Sequence, residues 1–465
     1  MRAKVSLLAV ALLSGCATAP QYARPETPAV PAFKEQGPWI TAGEDLPATG
    51  EWWHMFGDAT LDTLIPRIEN GSPSLAAAVA RYDQATAQVR RERADLLPSV
   101  NAGADAERAR VSAGRAPTAP GAATYSDKSL GASLSYELDL FGRIRNSVRQ
   151  ASANAQASEA DLAATKLALQ TRLASIYFDL RGLDARLALL RESVAAFQRA
   201  YDLTSTRHGG GIASGLDVSR AATILANARA ELDGVAAARA RDEHAIAILI
   251  GEAPANFALP VVDHLIDAPA IPVSLPSTLL QRRPDLVAAE RRVAAANAGI
   301  GVARAALFPR VTLGGQAGFE TIHGDILSAS NSFWALGPLS AVASIFDGGA
   351  RRANLRVARA QFDETAALYR GAVLDAFREV EDNLATARIL ALQERNQLDA
   401  ATAADRTRDL AMTRYRDGAS DYLEVVTAQT AALDARRALL ITQSAQLSVA
   451  TDMMRALGGG YPQGR

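Results

Sequence analysis

Arg207-His208-Gly209-Gly210-Gly211-Ile212-Ala213-Ser214-Gly215-Leu216-Asp217-Val218 returns later in the chain as Arg414-Tyr415-Arg416-Asp417-Gly418-Ala419-Ser420-Asp421-Tyr422-Leu423-Glu424-Val425, at an offset of 207 residues. Other pairs hold nearly the same spacing. Leu97-Pro98 answers to Phe308-Pro309 at 211, and Phe141-Gly142 to Phe346-Asp347 at 205. A fixed period of this size means two tandem copies, with the drift absorbed by short loop insertions. The segments leading to the quoted stretches, 144–206 in one copy and 350–416 in the other, hold no proline. Such runs predict very long helices; at 1.5 Å rise per residue, about 63 residues reach roughly 95 Å. The glycine-rich clusters at 209–215 and 416–421 predict turns, and 216–250 and 422–456 predict return helices. Each copy then holds an antiparallel helical hairpin. Leu398, Ala401, Ala404, Leu410 and Ala411 recur at helical steps among charges, as coiled-coil packing with closely approaching seams requires.

Upstream of each hairpin the period changes. Helical approaches over 59–94 and 285–306, the first with Ala76, Val79, Ala80, Ala87 and Val89 as its apolar stripe, stop at Pro98 and Pro309. A proline ends a helix because it lacks the N–H and clashes with the preceding turn. Period-two alternation follows. Val100, Ala102, Ala104 and Ala106 share one face in the first copy, and Val311, Leu313, Gly315, Ala317 and Phe319 in the second. After polar loops at 109–127 and 321–332, a second run places Leu130, Ala132, Leu134, Tyr136, Leu138 and Leu140 together, and in copy two Leu339, Ala341, Ala343 and Ile345. Ten-residue alternating segments are the mark of transmembrane barrel strands, and taken alone they also suit an amphipathic hairpin on a soluble core. Four strands are too few to close a barrel, and an open pair of hairpins leaves edges unpaired. Closure requires several subunits; three copies supply twelve strands. The fold class expected is α+β.

The 465 residues carry a formal net charge of −1, which gives no electrostatic footprint for nucleic acid. The single cysteine, Cys16, rules out an internal disulfide. It follows a short basic segment (Arg2, Lys4), the apolar run Val5 to Leu13, and the tetrapeptide Leu13-Ser14-Gly15-Cys16. That run is too short to span a bilayer. The tetrapeptide resembles a bacterial lipoprotein signal, in which cleavage before the cysteine is coupled to its acylation, and Ala17 in place of aspartate points to the outer membrane. Several acyl chains on one residue anchor stably. Beyond Gly15 no stretch of about 18 apolar residues occurs, so a membrane span would have to be built from strands. The expected organisation is a signal peptide (1–15), a lipidated tether (16–57), two structural repeats (58–265 and 266–457) and a short tail (458–465).

Several separated motifs resemble the TolC/OprM outer-membrane efflux channel family, in its NodT-type lipoprotein branch. They are Gln281-Arg282-Arg283-Pro284-Asp285-Leu286, Leu138-Asp139-Leu140-Phe141-Gly142-Arg143, Ile345-Phe346-Asp347-Gly348-Gly349, the terminal Ala456-Leu457-Gly458-Gly459-Gly460, and Trp52-Trp53 with Phe56 and Asp58. The resemblance implies a homotrimer. Its twelve strands would form a barrel in outer-membrane lipid, and its helices a periplasmic tunnel. An inner-membrane RND pump and a periplasmic adaptor (membrane fusion) protein would be its partners. It also implies that the hairpin turns form a closed tip that must open. On that basis Asp217, Tyr415, Asp421 and Glu424 are the candidate gate residues, with Gly211 and Gly418 shaping the turns. Rings of acids about a threefold axis favour cations and repel one another, which raises their pKa values. The same acids also suit helix N-termini, and Tyr415 suits packing.

The five histidines are scattered, without metal-site spacing. No Gly-x-Ser-x-Gly elbow or phosphate-binding glycine motif is present. No metal, cofactor or catalytic residue is expected, and no enzymatic activity. The rival expectation is a lipid-anchored periplasmic helical scaffold or adaptor, which accounts for the helices and Cys16 but not for two matching pairs of alternating strands.

Overall fold

The alternating stretches form strands, and the proline-free runs form helices. In the computed structural model of the chain, residues 19–28, 30–35, 40–41, 50–110, 112, 124–269, 272–273, 282–322 and 324–459 are described. Cys16, Gln281 and Gly460 lie outside them. The helices are α1 (Ala59–Gly71), α2 (Pro73–Ala94), α3 (Arg143–Gly209), α4 (Gly215–Leu249), α5 (Pro284–Ala305), α6 (Ala350–Arg416) and α7 (Tyr422–Ala456). The strands are β1 (Ile40–Thr41), β2 (Ser99–Arg110), β3 (Thr124–Leu138), β4 (Pro272–Val273), β5 (Arg310–Thr321) and β6 (Ser332–Val342). The α3 and α6 helices are each 67 residues long and their return helices, α4 and α7, each 35. The two helical hairpins thus match residue for residue in length.

Three details depart from expectation. The first helical approach is two helices, because Ser72 closes α1 and Pro73, with no N–H to lose, opens α2. Thr124–Asp127 belong to β3, within the stretch expected as loop. β6 begins at Ser332 and ends at Val342, so Ala343 and Ile345 fall beyond it.

The chain divides into two compact units that cut across its order: Met1–Glu26, Arg81–Glu159 and Ala288–Arg370 in one, and Thr27–Ala80, Ala160–Val287 and Gly371–Arg465 in the other.

The first unit carries a four-stranded antiparallel sheet in the order β2-β3-β5-β6. Its register aligns the apolar positions of all four strands. Ala102 faces Ala132, Ala132 faces Ala317, and Ala317 faces Trp334. Val100, Leu134, Gly315 and Leu336 form the next row. One face of the sheet is therefore apolar across its whole width in these rows, and most of their residues are exposed, Leu134 and Gly315 being half-buried; Trp334 is 81% exposed. The pairing slips between Leu313 and Gly315, where β6 has one residue more than β5. That bulge moves Trp334 and Leu336 onto the face of Leu339 and Ala341. Both strand-to-helix turns are capped alike. Asp139 accepts from the N–H groups of Ile144 (3.0 Å) and Arg145 (2.9 Å), and Asp347 from those of Gly349 (2.9 Å) and Arg351 (3.2 Å). Phe141 stacks on Phe308 at 4.7 Å. The tether lies against this unit's helices: the Tyr22 hydroxyl donates to Glu290, Arg24 Nε to the Tyr369 hydroxyl at 2.8 Å, and Asn297 Nδ2 to the Pro20 carbonyl at 3.0 Å.

The second unit has its core where Trp52, Trp53 and Phe56 pack with Leu61, Ile65 and Ile68 of α1 and with Tyr177 and Phe178 of α3. Asp58 serves both parts: it caps α1 through the N–H groups of Thr60 and Leu61, both at 2.9 Å, and accepts from the Tyr177 hydroxyl at 2.7 Å. A buried ionic network fixes the linker after α4. Asp184, fully buried, receives Arg181 at 2.9 Å and Arg239 at 2.6 Å. Arg181 also donates to the Pro260 carbonyl at 2.7 Å, Arg239 to that of Leu259 at 2.7 Å, and the Val262 N–H donates to Asp184 at 3.3 Å. Buried charges are tolerable only when every one is paired and hydrogen-bonded, and removing one partner strands the rest. Arg283 plays a similar part at the start of α5, pairing with Asp285 (2.7 Å) and Glu379 (2.8 Å) and donating to the Ala456 carbonyl at 3.3 Å.

Candidate functional site

The two hairpin turns bring the candidate residues together in the second unit. Their backbones are superimposable in pattern. Gly211 and Gly418 both adopt φ of +77°, a left-handed conformation that costs an L side chain about 1–2 kcal/mol. Ile212 N–H reaches back to the Arg207 carbonyl at 2.8 Å and Ala419 N–H to that of Arg414 at 2.8 Å. Gly211 N–H donates to His208 at 2.9 Å and Gly418 N–H to Tyr415 at 3.1 Å. Each turn is therefore a Schellman closure, which satisfies the last carbonyls of the outgoing helix.

The return helices are capped at equivalent positions. In the first turn Ser214 and Asp217 form a capping box: Asp217 N–H donates to Ser214 Oγ at 3.2 Å, while the Ser214 N–H and Oγ donate to the Asp217 carboxylate at 3.2 and 2.7 Å. In the second, Asp421 is the N-cap and accepts from the Glu424 N–H at 3.1 Å. Glu424 pairs with Arg414 at 3.4 Å, and Arg220 stands 3.8 Å from Asp217. These acids are thus the helix-terminal charges that a positive helix end favours.

Tyr415 is 4% exposed. It packs with Ala200, Ala221, Tyr422 and Val425, so all four long helices meet around it. Its ring meets Tyr422 edge-on at 5.4 Å, its hydroxyl lies 3.3 Å from Thr204 Oγ1, and the Arg207 guanidinium sits over it at 4.5 Å. Burial, then the neighbouring Tyr415 and Asp217, push the Tyr422 hydroxyl up to about 12.

Sequence reasoning passed over the residue that joins the hairpins. Arg207 donates to the carbonyls of Tyr415 (2.8 Å) and Arg416 (2.9 Å), gripping the second turn through its backbone. The only signal was its place at the head of the repeated stretch, opposite Arg414, whose side chain turns instead to Glu424. The turn surfaces also differ. Ile212 and Leu216 stand 78% and 59% exposed at the first, where the second has Ala419 and Leu423.

Among the described residues no group of three or more histidines, cysteines or carboxylates is placed to hold a metal ion. No described helix is long and apolar enough to cross a membrane.

Comparison with known proteins places this geometry in context. The profile of the family described as "Outer membrane efflux protein" matches residues 64–252 and 275–459. The probable efflux pump outer membrane protein TtgC of Pseudomonas putida is 34% identical over 98% of this chain and 96% of its own length. The outer membrane protein OprJ of Pseudomonas aeruginosa is 33% identical over 99% and 96%. The solved structure of the outer-membrane channel OprN superimposes with a TM-score of 0.85 at 31% identity, covering 96% of this chain and 99% of that one.

Proposed function

Because this chain belongs to the outer membrane efflux protein family, and so is an outer-membrane component of an efflux pump system, we propose that it acts as a homotrimeric exit duct. On this reading three copies close a twelve-stranded barrel, and a periplasmic adaptor delivers small molecules from an inner-membrane RND pump. The duct conducts passively and catalyses no reaction; the pump supplies the energy. Cys16 carries the lipid anchor, and 58–265 and 266–457 are the two copies of the duplicated unit.

The observation that carries the reading is the sheet. Its apolar face runs unbroken across four strands, and among the described residues its outer strands, β2 and β6, have a partner on one side only. Unpaired edges in hydrocarbon leave backbone donors and acceptors unsatisfied at several kcal/mol each. Antiparallel addition of the next copy's β2 to β6 satisfies both edges at once. A periplasmic scaffold would need neither the apolar face nor the free edges.

We further propose that the hairpin turns gate the duct, with Tyr415 locking the four helices and Asp217, Asp421 and Glu424 setting the charge near the opening. Planar-bilayer recording of the purified Cys16→Ser protein, with its detergent-corrected mass, tests both claims. A trimer with discrete, cation-preferring currents is expected, and Tyr415→Ala should raise the open fraction. A monomer soluble without detergent would overturn the duct. Currents indifferent to Tyr415→Ala, Asp421→Asn and Glu424→Gln would overturn the gate alone.

A further inference from the structure

We propose that a cavity in the second unit, away from the turns, binds amphipathic organic cations. It encloses about 730 Å³, within the range of small-molecule sites. Three helices and a strap wall it. Ala188 and Leu189 of α3, Leu384 and Ala391 of α6, and Leu440 and Met453 of α7 supply an apolar floor. The strap, 263–269, crosses above. It does not hang free, since the residues just before it are tied to the Arg181–Asp184–Arg239 network through Leu259, Pro260 and Val262. The cavity is therefore held open by the fold rather than formed around a ligand.

Its charge is one-sided. Glu192, Asp263, Asp267 and Glu394 line it, and among the described residues no arginine or lysine does and His264 is the only basic side chain in the wall. Two of these carboxylates are already engaged: Glu192 by Arg436 at 3.3 Å and Asp263 by His264 at 3.3 Å. Glu394 differs. It is half-buried and accepts from two neutral amides, Gln443 Nε2 at 3.1 Å and Gln446 Nε2 at 2.9 Å. Gln443 and Gln446 stand three residues apart on α7, so both amides reach the carboxylate from one helix face. Amide donors fix a carboxylate's position without cancelling its charge, whereas an ion pair would leave nothing to offer. A pre-positioned, uncompensated anion beside apolar side chains is complementary to a cation with an apolar body, and it disfavours an anion of the same shape by leaving two like charges together.

The test uses two ions of one shape and opposite charge, tetraphenylphosphonium and tetraphenylborate. Binding is measured by equilibrium dialysis against the intact protein in lipid nanodiscs, with empty nanodiscs subtracted. Saturable tetraphenylphosphonium binding at one site per chain is expected, with tetraphenylborate at least tenfold weaker. Glu394→Gln keeps the shape and one amide contact, the other surviving only if that neighbouring glutamine turns its own oxygen to the new NH2, and it should weaken the phosphonium about tenfold, roughly 1.4 kcal/mol. Ala391→Trp fills the cavity and should abolish the site. Equal binding of the two ions, an unchanged affinity in Glu394→Gln, or no saturable phosphonium binding, as when a neighbouring copy already occupies the cavity, would each overturn the proposal. If Ala391→Trp fails to fold, the ion pair and Glu394→Gln still decide it. Channel conductance is read separately, so loss of this site leaves the duct reading untouched.

Discussion

The two hairpin turns share a backbone and differ in almost everything hung on it. Both close with a left-handed glycine and the same back-reaching N–H bond, and both start their return helix with a capped first turn. Yet the residue six positions before the N-cap of the return helix is exposed His208 in one and buried Tyr415 in the other. The leading arginine grips the neighbouring turn in one copy and its own return helix in the other. The geometry of a tight helical turn depends on a few atoms and survives duplication. Packing depends on neighbours, and after duplication the neighbours of the two turns are no longer the same.

That asymmetry can be broken one pair at a time, with the opening free energy of the tip amides read by native-state hydrogen exchange. Tyr415→Ala removes a buried ring from a junction of four helices and should cost about 3 kcal/mol, while His208→Ala, at an exposed site, should stay within about 0.5 kcal/mol. Comparable losses would mean that the four-helix junction does not hold the tip. Next comes the arginine pair. Arg207→Ala loses two charge-assisted bonds and a ring contact, about 2 kcal/mol; Arg414→Ala loses one exposed ion pair, about 0.5 kcal/mol. A reversed order would show that Arg207 is not the clamp. The smallest effect sharpens the likeness instead. A Cβ at Gly211 or Gly418 meets nothing within 4 Å, so Gly211→Ala and Gly418→Ala should each cost only the backbone strain, about 1 kcal/mol. A gap between them larger than about 0.5 kcal/mol would disprove the equivalence of the turns.

Much of this was legible in the residues. No proline interrupts α3 or α6, and each ends where a glycine able to take positive φ stands at the turn. Period two marked β2 and β5 because one face is apolar from Val100 to Ala106 in the first and from Val311 to Phe319 in the second. The first half of β6 was not legible. The extra residue at the bulge shifts Phe333–Leu336 out of phase with Leu339, so alternation read from one end points Trp334 to the wrong side. Asp217's bond to Ser214 was signalled only by the Ser-x-x-Asp interval of a capping box, which the gate reading passed over. The cavity around Glu394 is drawn from three helices and a strap far apart in the chain, and only folding assembles it.

The seam between β3 and β5 has a consequence for assembly. There the hairpin of the first half meets that of the second antiparallel, edge to edge, which is the same joint that β6 would make with the β2 of another copy in the proposed ring. A shorter ancestor with one hairpin would have needed every joint of its ring to form by collision between separate chains. Fusing two such units makes every second joint unimolecular, at an effective concentration on the order of millimolar. Duplication on this view is a kinetic device: half the ring's closures are settled before any two chains meet.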